Sequence, residues 1–184
     1  MNQADPASPS LDSSSASIGE TAFGRCPISG TAGKGVDLVT VKALLTAAAL
    51  RRLDGKTYRF CPEPSCDLVY FDRQAGSVFV KQDLSVRVGL KETEDPIPVC
   101  YCFGLTKADL RADIANRGGT DAPQWIAAEI RSGHCACEVR NPEGSCCLGN
   151  VSKTVKEISS ALRGATSSSG GTNVGRGAKT ENRT

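Results

Sequence analysis

The chain has 184 residues, nine cysteines and one histidine, and its 22 Lys and Arg residues against 20 Asp and Glu leave a formal net charge of +2. A charge this close to zero, with no basic run beyond Arg51-Arg52, does not favour a nucleic-acid-binding protein. No apolar stretch is long enough to span a membrane and no signal peptide is visible, so we expect a cytoplasmic protein in a reducing compartment.

Both ends of the chain are predicted to be disordered tails, at residues 1–22 and 165–184. The first is rich in Ser, Ala, Asp and Pro, and the second consists mostly of small polar and charged residues. Such segments bury too little apolar surface to offset the loss of chain entropy. Aromatic residues are scarce between the tails, so metal ligation is expected to supplement a modest core.

The first half of the folded part predicts one helix and a small antiparallel sheet. Residues 40–53 have apolar side chains at helical spacing, with Thr40 as an N-cap candidate. Short apolar segments then predict a meander whose strands lie at residues 57–61, 68–71, 77–80 and 85–90. Residues 91–98 are charged and contain two prolines, which is typical of a linker.

The second half predicts three helices. The first runs over residues 106–116, with Thr106 and Asp109 as a capping box and Gly118-Gly119 as its stop. The next begins near Ala122-Pro123, ends at Gly133 and is expected to bury Trp125 in the core. The last is an amphipathic helix over residues 149–162.

Six cysteines cluster in this second half: Cys100, Cys102, Cys135, Cys137, Cys146 and Cys147. In a reducing compartment such density indicates metal or iron–sulfur ligation rather than disulfides, and an odd total would leave one cysteine unpaired. A 2Fe–2S cluster takes four thiolates. Two of the six are therefore spare, and Cys135 and one of the adjacent pair are the candidates.

The remaining cysteines, Cys26, Cys61 and Cys66, indicate a second, zinc site. Three thiolates make a partial tetrahedron, which Asp67, Asp37 or a water could complete. The simpler alternative is three buried thiols without a metal. His134 is the only histidine, whereas Rieske-type clusters use two, so a supporting or solvent-facing role is favoured.

Several motifs together carry a resemblance to a known family. They are Arg25-Cys26-Pro27, residues 60–71 with Cys61 and Cys66, residues 88–92, Pro98–Cys102 and Cys137–Cys147. In this order they resemble the amino-terminal domain of CopZ-type copper chaperones over roughly residues 23–150. The cluster half is also similar to the helix-turn-helix of bacterioferritin-associated ferredoxin.

The resemblance implies a 2Fe–2S cluster on Cys100, Cys102, Cys137 and Cys147, and a mononuclear zinc. It also implies a second cysteine where this chain has Ser29. Copper delivery in such chaperones uses a C-x-x-C on a separate domain. This sequence contains no C-x-x-C, so a chaperone role does not follow from the resemblance alone.

The sequence thus predicts an α+β protein stabilised by metal. A zinc knuckle with a short antiparallel sheet and one helix (residues 23–90) is joined by the 91–98 linker to a helical 2Fe–2S subdomain (residues 99–164). The predicted function is one-electron transfer or metal-ion reduction in copper homeostasis, with a copper-handling protein or an electron donor as partner. No nucleophile–base arrangement indicates an enzyme. The alternatives are a non-redox binding module and a soft-metal sensor or buffer that uses Cys146-Cys147.

Overall fold

The computed structural model describes residues 24–54, 57–72, 74 and 76–167, and these form two compact units. The first unit comprises the chain up to Thr93 together with Ala136–Ser145. The second comprises Glu94–Cys135 and the chain from Cys146 onward. The division differs from the predicted boundaries because residues 136–145 belong to the first unit. The predicted tails lie outside the described residues, except that the last helix continues to Ser167.

The first unit contains a four-stranded antiparallel sheet in the order β1-β2-β3-β4. Its strands are β1 (Lys34–Val36), β2 (Tyr58–Phe60), β3 (Leu68–Asp72) and β4 (Ser77–Val80). Every residue of β3 is buried, so this strand carries the centre of the core. The predicted meander is confirmed for β2 to β4, whereas β1 is a three-residue strand too short to leave an alternating pattern.

The predicted strand at residues 85–90 is wrong. The backbone N–H and the hydroxyl of Ser85 both donate to the carbonyl oxygen of Leu44, at 2.8 and 3.0 Å. The chain then enters a 3₁₀ turn at Gly89–Lys91. Ser85 therefore bonds to the end of a helix instead of extending the sheet.

The prediction of one continuous helix over residues 40–53 is also wrong. This part of the chain forms two short helices, α1 (Leu38–Leu44) and α2 (Ala47–Leu50). Leu45 between them is extended and pairs with Leu84, and the hydroxyl of Thr46 accepts the N–H of Ala49 as the cap of α2. The apolar spacing does not reveal this break, because a Thr in mid-helix and a Thr at an N-cap leave the same pattern.

Residues 136–145 are attached to α1 and the sheet within the first unit. They contain a short helix, Cys137–Arg140, which is α5 in chain order. The Thr40 hydroxyl donates to the carbonyl oxygen of Glu138 at 2.6 Å, and the Tyr70 hydroxyl donates to that of Pro142 at 2.9 Å. Both donors are fully buried. The segment that presents Cys137 is thus held by the sheet unit.

The second unit is mainly helical. It contains α3 (Lys107–Arg117), α4 (Ala122–Arg131), α6 (Leu148–Ser167) and a two-stranded ladder of β5 (Pro98–Cys100) and β6 (Leu105–Thr106). All three predicted helices are confirmed. So is the capping box, in which Thr106 accepts from the N–H of Asp109 and the Asp109 carboxylate accepts from Thr106. Gly118 follows α3 with φ of 72°, which favours glycine.

The prediction that Trp125 is a core residue is wrong. Its side chain is 43% exposed and contacts Phe103 edge-on, with 5.0 Å between ring centroids. The core position on α4 is taken by the neighbouring Ile126, which is fully buried. Within the described residues no helix is long and apolar enough to cross a bilayer.

Replacing Tyr70 with Phe tests how residues 141–145 are held. We expect the free energy of unfolding to fall by about 1 to 2 kcal/mol, because the buried Pro142 carbonyl loses its donor. Hydrogen exchange at the amides of Asn141 and Gly144, which donate within this segment, should accelerate. Tyr58→Phe is the matched control, since it removes a hydroxyl that lies 2.6 Å from Ser77 Oγ on the same sheet. Equal acceleration in both variants would contradict the assignment.

Candidate metal centres

Three separate pieces of backbone carry Cys26, Cys61 and Cys66. Cys26 begins a tight turn in which Gly30 N–H donates to the Cys26 carbonyl oxygen at 3.0 Å. Cys61 directly follows β2 and donates its N–H to Val69 O on β3 at 2.9 Å. Cys66 lies shortly before β3, in the loop that joins these two strands. The sheet register and the turn therefore place three sequence-distant thiols at one end of the sheet.

The sulfurs of these cysteines converge. All three Sγ atoms lie within 4.8 Å of one another, and those of Cys26 and Cys66 are 3.9 Å apart. A tetrahedral zinc with Zn–S bonds of about 2.3 Å spaces its sulfur ligands about 3.8 Å apart. The side chains are buried and pack with Leu68 and Phe71. Soft donors at this spacing fit a zinc ion.

Burial and hydrogen bonding act in opposite directions on these thiols. Burial raises the pKa of Cys26, but hydrogen bonds from the Ser29 side chain and backbone outweigh it and bring the pKa to about 7. The pKa of Cys66 is raised, chiefly by burial. The Ser29 turn therefore prepares one thiolate ligand near neutral pH, and a bound cation would hold the others ionised.

The structure places Ser29 beside the three sulfurs and Asp67 away from them. Ser29 Oγ lies 3.5 Å from Cys61 Sγ, and its backbone N–H donates to Cys26 Sγ at 3.4 Å. The Asp67 carboxylate instead lies 3.7 Å from Lys81 Nζ, and 55% of its side chain is exposed. Asp37 is the N-cap residue of α1 and does not belong to the sulfur group. The ligand set predicted from the sequence did not include Ser29. The sequence did offer a signal for it, because the family resemblance implies a cysteine at this third position after Cys26.

In the second unit, the structure brings Cys100 and Cys147 together. Both side chains are buried, and Cys147 Sγ donates to Cys100 Sγ at 2.9 Å. This hydrogen bond is the main reason that the pKa of Cys100 falls to about 6 despite burial. Cys146 is exposed, so Cys147 is the better placed of the adjacent pair.

The other cysteines of the predicted cluster set lie elsewhere. Cys102 is half-buried, in the turn after β5. Among the described residues it does not form, with Cys100 and Cys147, a group of three whose sulfurs all lie within 4.8 Å of one another. A cluster with two thiolates per iron needs close pairs rather than close triplets. Cys137 is buried on α5 of the first unit, and Cys135 is half-buried.

His134 faces solvent, with 63% of its side chain exposed and its Nδ1 2.7 Å from a Glu129 carboxylate oxygen. This position fits the solvent-facing role favoured from the sequence. The ring is already engaged within the second unit, three residues beyond the end of α4.

Comparison with known proteins agrees with the first of these sites. The family model zf_CopZ, described as a zinc binding domain, matches residues 24–85, which include all three converging cysteines. The chain is 35% identical over 152 residues to the copper chaperone CopZ of Archaeoglobus fulgidus, covering 77% of this chain and 72% of that protein. The chain belongs to the CopZ family.

The fold of this CopZ family member agrees with the sequence relationship. The X-ray structure of the Archaeoglobus fulgidus CopZ N-terminal domain superposes with a TM-score of 0.61 at 35% identity. The match covers 70% of this chain and 95% of that one. The mixed α+β fold with a small antiparallel sheet, predicted from the sequence, is confirmed, and residues 24–85 are a zinc-binding domain of the CopZ type.

Replacing Ser29 with Cys tests whether residue 29 occupies the fourth corner of the zinc site. We expect zinc binding to tighten by on the order of tenfold, about 1.4 kcal/mol, because a thiolate replaces a neutral hydroxyl next to Cys61. Chelator competition measures the change. Ser29→Ala and Asp67→Asn are the controls, and Asp67→Asn should leave affinity unchanged. Unchanged affinity in Ser29→Cys together with a loss in Asp67→Asn would place the fourth ligand at Asp67.

The depressed pKa of Cys100 predicts a pH dependence in the reduced, metal-free protein. Its pKa falls from an ordinary value of 9.0 to about 6 in the folded state. Its contribution to the free energy of unfolding is therefore complete above about pH 9 and is lost as pH falls through about 6. Denaturation across this range should show stability rising with pH. Cys147→Ala removes the hydrogen-bond donor, so its profile should be flatter; parallel profiles would contradict the assigned cause.

Proposed function

We propose that this protein is a zinc-stabilised, 2Fe–2S-binding member of the CopZ family that performs one-electron transfer in copper homeostasis. The proposed zinc site is supported by the convergence of three buried sulfurs within the part of the chain that matches the zinc-binding domain. Their burial beneath Leu68 and Phe71 favours a structural ion rather than a catalytic one.

The proposed cluster ligands are Cys100, Cys102, Cys137 and Cys147. The contact between Cys100 and Cys147 supports one pair, and a thiol with a pKa of about 6 is largely thiolate at neutral pH. Cys102 and Cys137 rest on the motif resemblance. Cys100 is itself fully buried, as are Leu110 and Val151 of the same unit. Such burial limits solvent access, one of the factors that set a reduction potential.

Copper enters the proposal through the relative, which is a copper chaperone. When bound, a 2Fe–2S cluster supplies a one-electron couple, and one electron converts Cu(II) to Cu(I). We assign this chain to electron transfer or metal reduction, because the proposed cluster supplies the one-electron couple that this step needs. Its partners would be a copper-handling protein and an electron donor. Trp125 is exposed, contacts the half-buried Phe103 and lies in the same unit as Cys100, so it offers one contact surface.

Anaerobic purification with metal analysis tests the proposal. We expect zinc and two irons per chain, with visible absorption that bleaches on adding dithionite and recovers on adding Cu(II). Cys147→Ala should lose the iron absorption, whereas Cys146→Ala, a change at an exposed neighbour, should retain it. A colourless, zinc-only protein would remove the electron-transfer proposal.

A second candidate is a soft-metal sensor or buffer, which the exposure of Cys146 beside Cys147 favours. In this case Cys146→Ser would weaken binding of Cu(I) or Hg(II) while zinc content stays unchanged. A cluster that is present but redox-inert would instead favour a metal-stabilised binding module.

A further inference from the structure

Lys91 is a buried lysine next to the zinc site. Only 5% of its surface is exposed, although it lies in a 3₁₀ turn. Its ammonium donates to the carbonyl oxygens of Glu63 and Cys66, at 2.7 and 3.0 Å, and lies 5.7 Å from the centroid of the Phe60 ring. The two carbonyls belong to the loop between Cys61 and Cys66. Lys91 therefore fixes the backbone that presents two of the three sulfurs.

In the described part of the chain, no carboxylate forms an ion pair with the Lys91 ammonium, and the Glu63 carboxylate acts on it only from a longer distance. None of the ion pairs found in this part involves Lys91. A buried ammonium is costly unless an opposite charge lies nearby, and carbonyl dipoles compensate it only in part. The other charged groups that act on it are the thiols of Cys61, Cys66 and Cys26, and the Glu63 carboxylate. The sulfurs of the metal site are thus a natural source of the missing negative charge.

Charge counting indicates why such a cation belongs there. Three thiolates around a divalent zinc leave one negative charge in a buried site, and the neutral hydroxyl of Ser29 does not change it. One ammonium that donates to the Cys61–Cys66 loop offsets this charge.

We infer that Lys91 has two roles at this zinc site. It positions the loop that presents Cys61 and Cys66, and its positive charge offsets the single negative charge of a zinc ion held by three thiolates without a fourth anionic ligand. The inference rests on the proposed zinc role of Cys26, Cys61 and Cys66. Lys91 acts on the metal through the loop carbonyls and through its charge, and it does not ligate the ion. Its charge should therefore matter more when zinc and three thiolates are present than when zinc is removed.

Three variants of Lys91 separate its charge from its hydrogen bonds. Lys91→Gln keeps a donor for the carbonyls of Glu63 and Cys66 but removes the charge, Lys91→Met removes both, and Lys91→Arg keeps the charge. We expect Lys91→Gln and Lys91→Met to weaken zinc binding by about tenfold or more in chelator competition, and Lys91→Arg to restore most of it. Lys81→Met is the matched control, because Lys81 is a partly exposed lysine paired with Asp67, and the zinc affinity of this variant should equal that of the wild type.

Thermal unfolding with and without zinc gives a second readout that a packing role would not move. The rise in Tm on adding zinc should shrink in Lys91→Gln, while the zinc-free variant should be at least as stable as the zinc-free wild type. Should Lys91→Met not fold, the Gln and Arg pair still decides the question. Equal zinc affinity in Lys91→Gln and the wild type, or an equal loss of stability with and without zinc, would overturn the inference. A wild-type chain that binds no zinc would overturn the proposed zinc role as well.

Discussion

The convergence of three thiol groups in one small buried volume is the constraint on which the first unit depends. Cys26, Cys61 and Cys66 come from a turn and from the two ends of the loop between β2 and β3, so their meeting requires the sheet register to be correct. The strands are only three to five residues long. Short strands with a modest core are marginal by themselves, and a structural zinc adds on the order of 10 kcal/mol. The metal and the sheet therefore specify each other.

Each unit contains a thiol whose ionised form is favoured by hydrogen bonds from its neighbours. At Cys26 the donors are the backbone and side chain of Ser29, and at Cys100 the donor is another thiol. In each case the hydrogen bond outweighs burial, which by itself would keep the thiol neutral. Cys66 shows the opposite balance, since burial dominates there. The zinc-binding group therefore combines one thiol whose pKa is lowered with one whose pKa is raised.

The elements that could be predicted from the sequence are those with a local signal. Thr106, Asp109 and Gly118 mark the two ends of α3 by chemistry within a few residues, and the structure agrees. The break at Leu45 and the exposure of Trp125 depend on distant partners, Leu84 in one case and Phe103 in the other. The positions of the cysteines in the sequence were enough to predict a zinc site at Cys26, Cys61 and Cys66. The proximity of Ser29 to Cys61, and the placement of Asp67 next to Lys81, arise from tertiary packing that spacing does not encode.

The attachment of residues 136–145 to α1 and the sheet makes the first unit discontinuous in sequence. During synthesis, the ribosome releases the zinc-binding cysteines long before this closing segment. Metal binding can thus precede completion of the unit. The hydroxyls of Thr40 and Tyr70 have no acceptor from this segment until some seventy to a hundred further residues have been translated. Proteolysis or truncation near Thr93 would separate residues 136–145 from the rest of the first unit. A version of the zinc-binding unit that keeps the acceptors of Thr40 and Tyr70 therefore extends through Pro142.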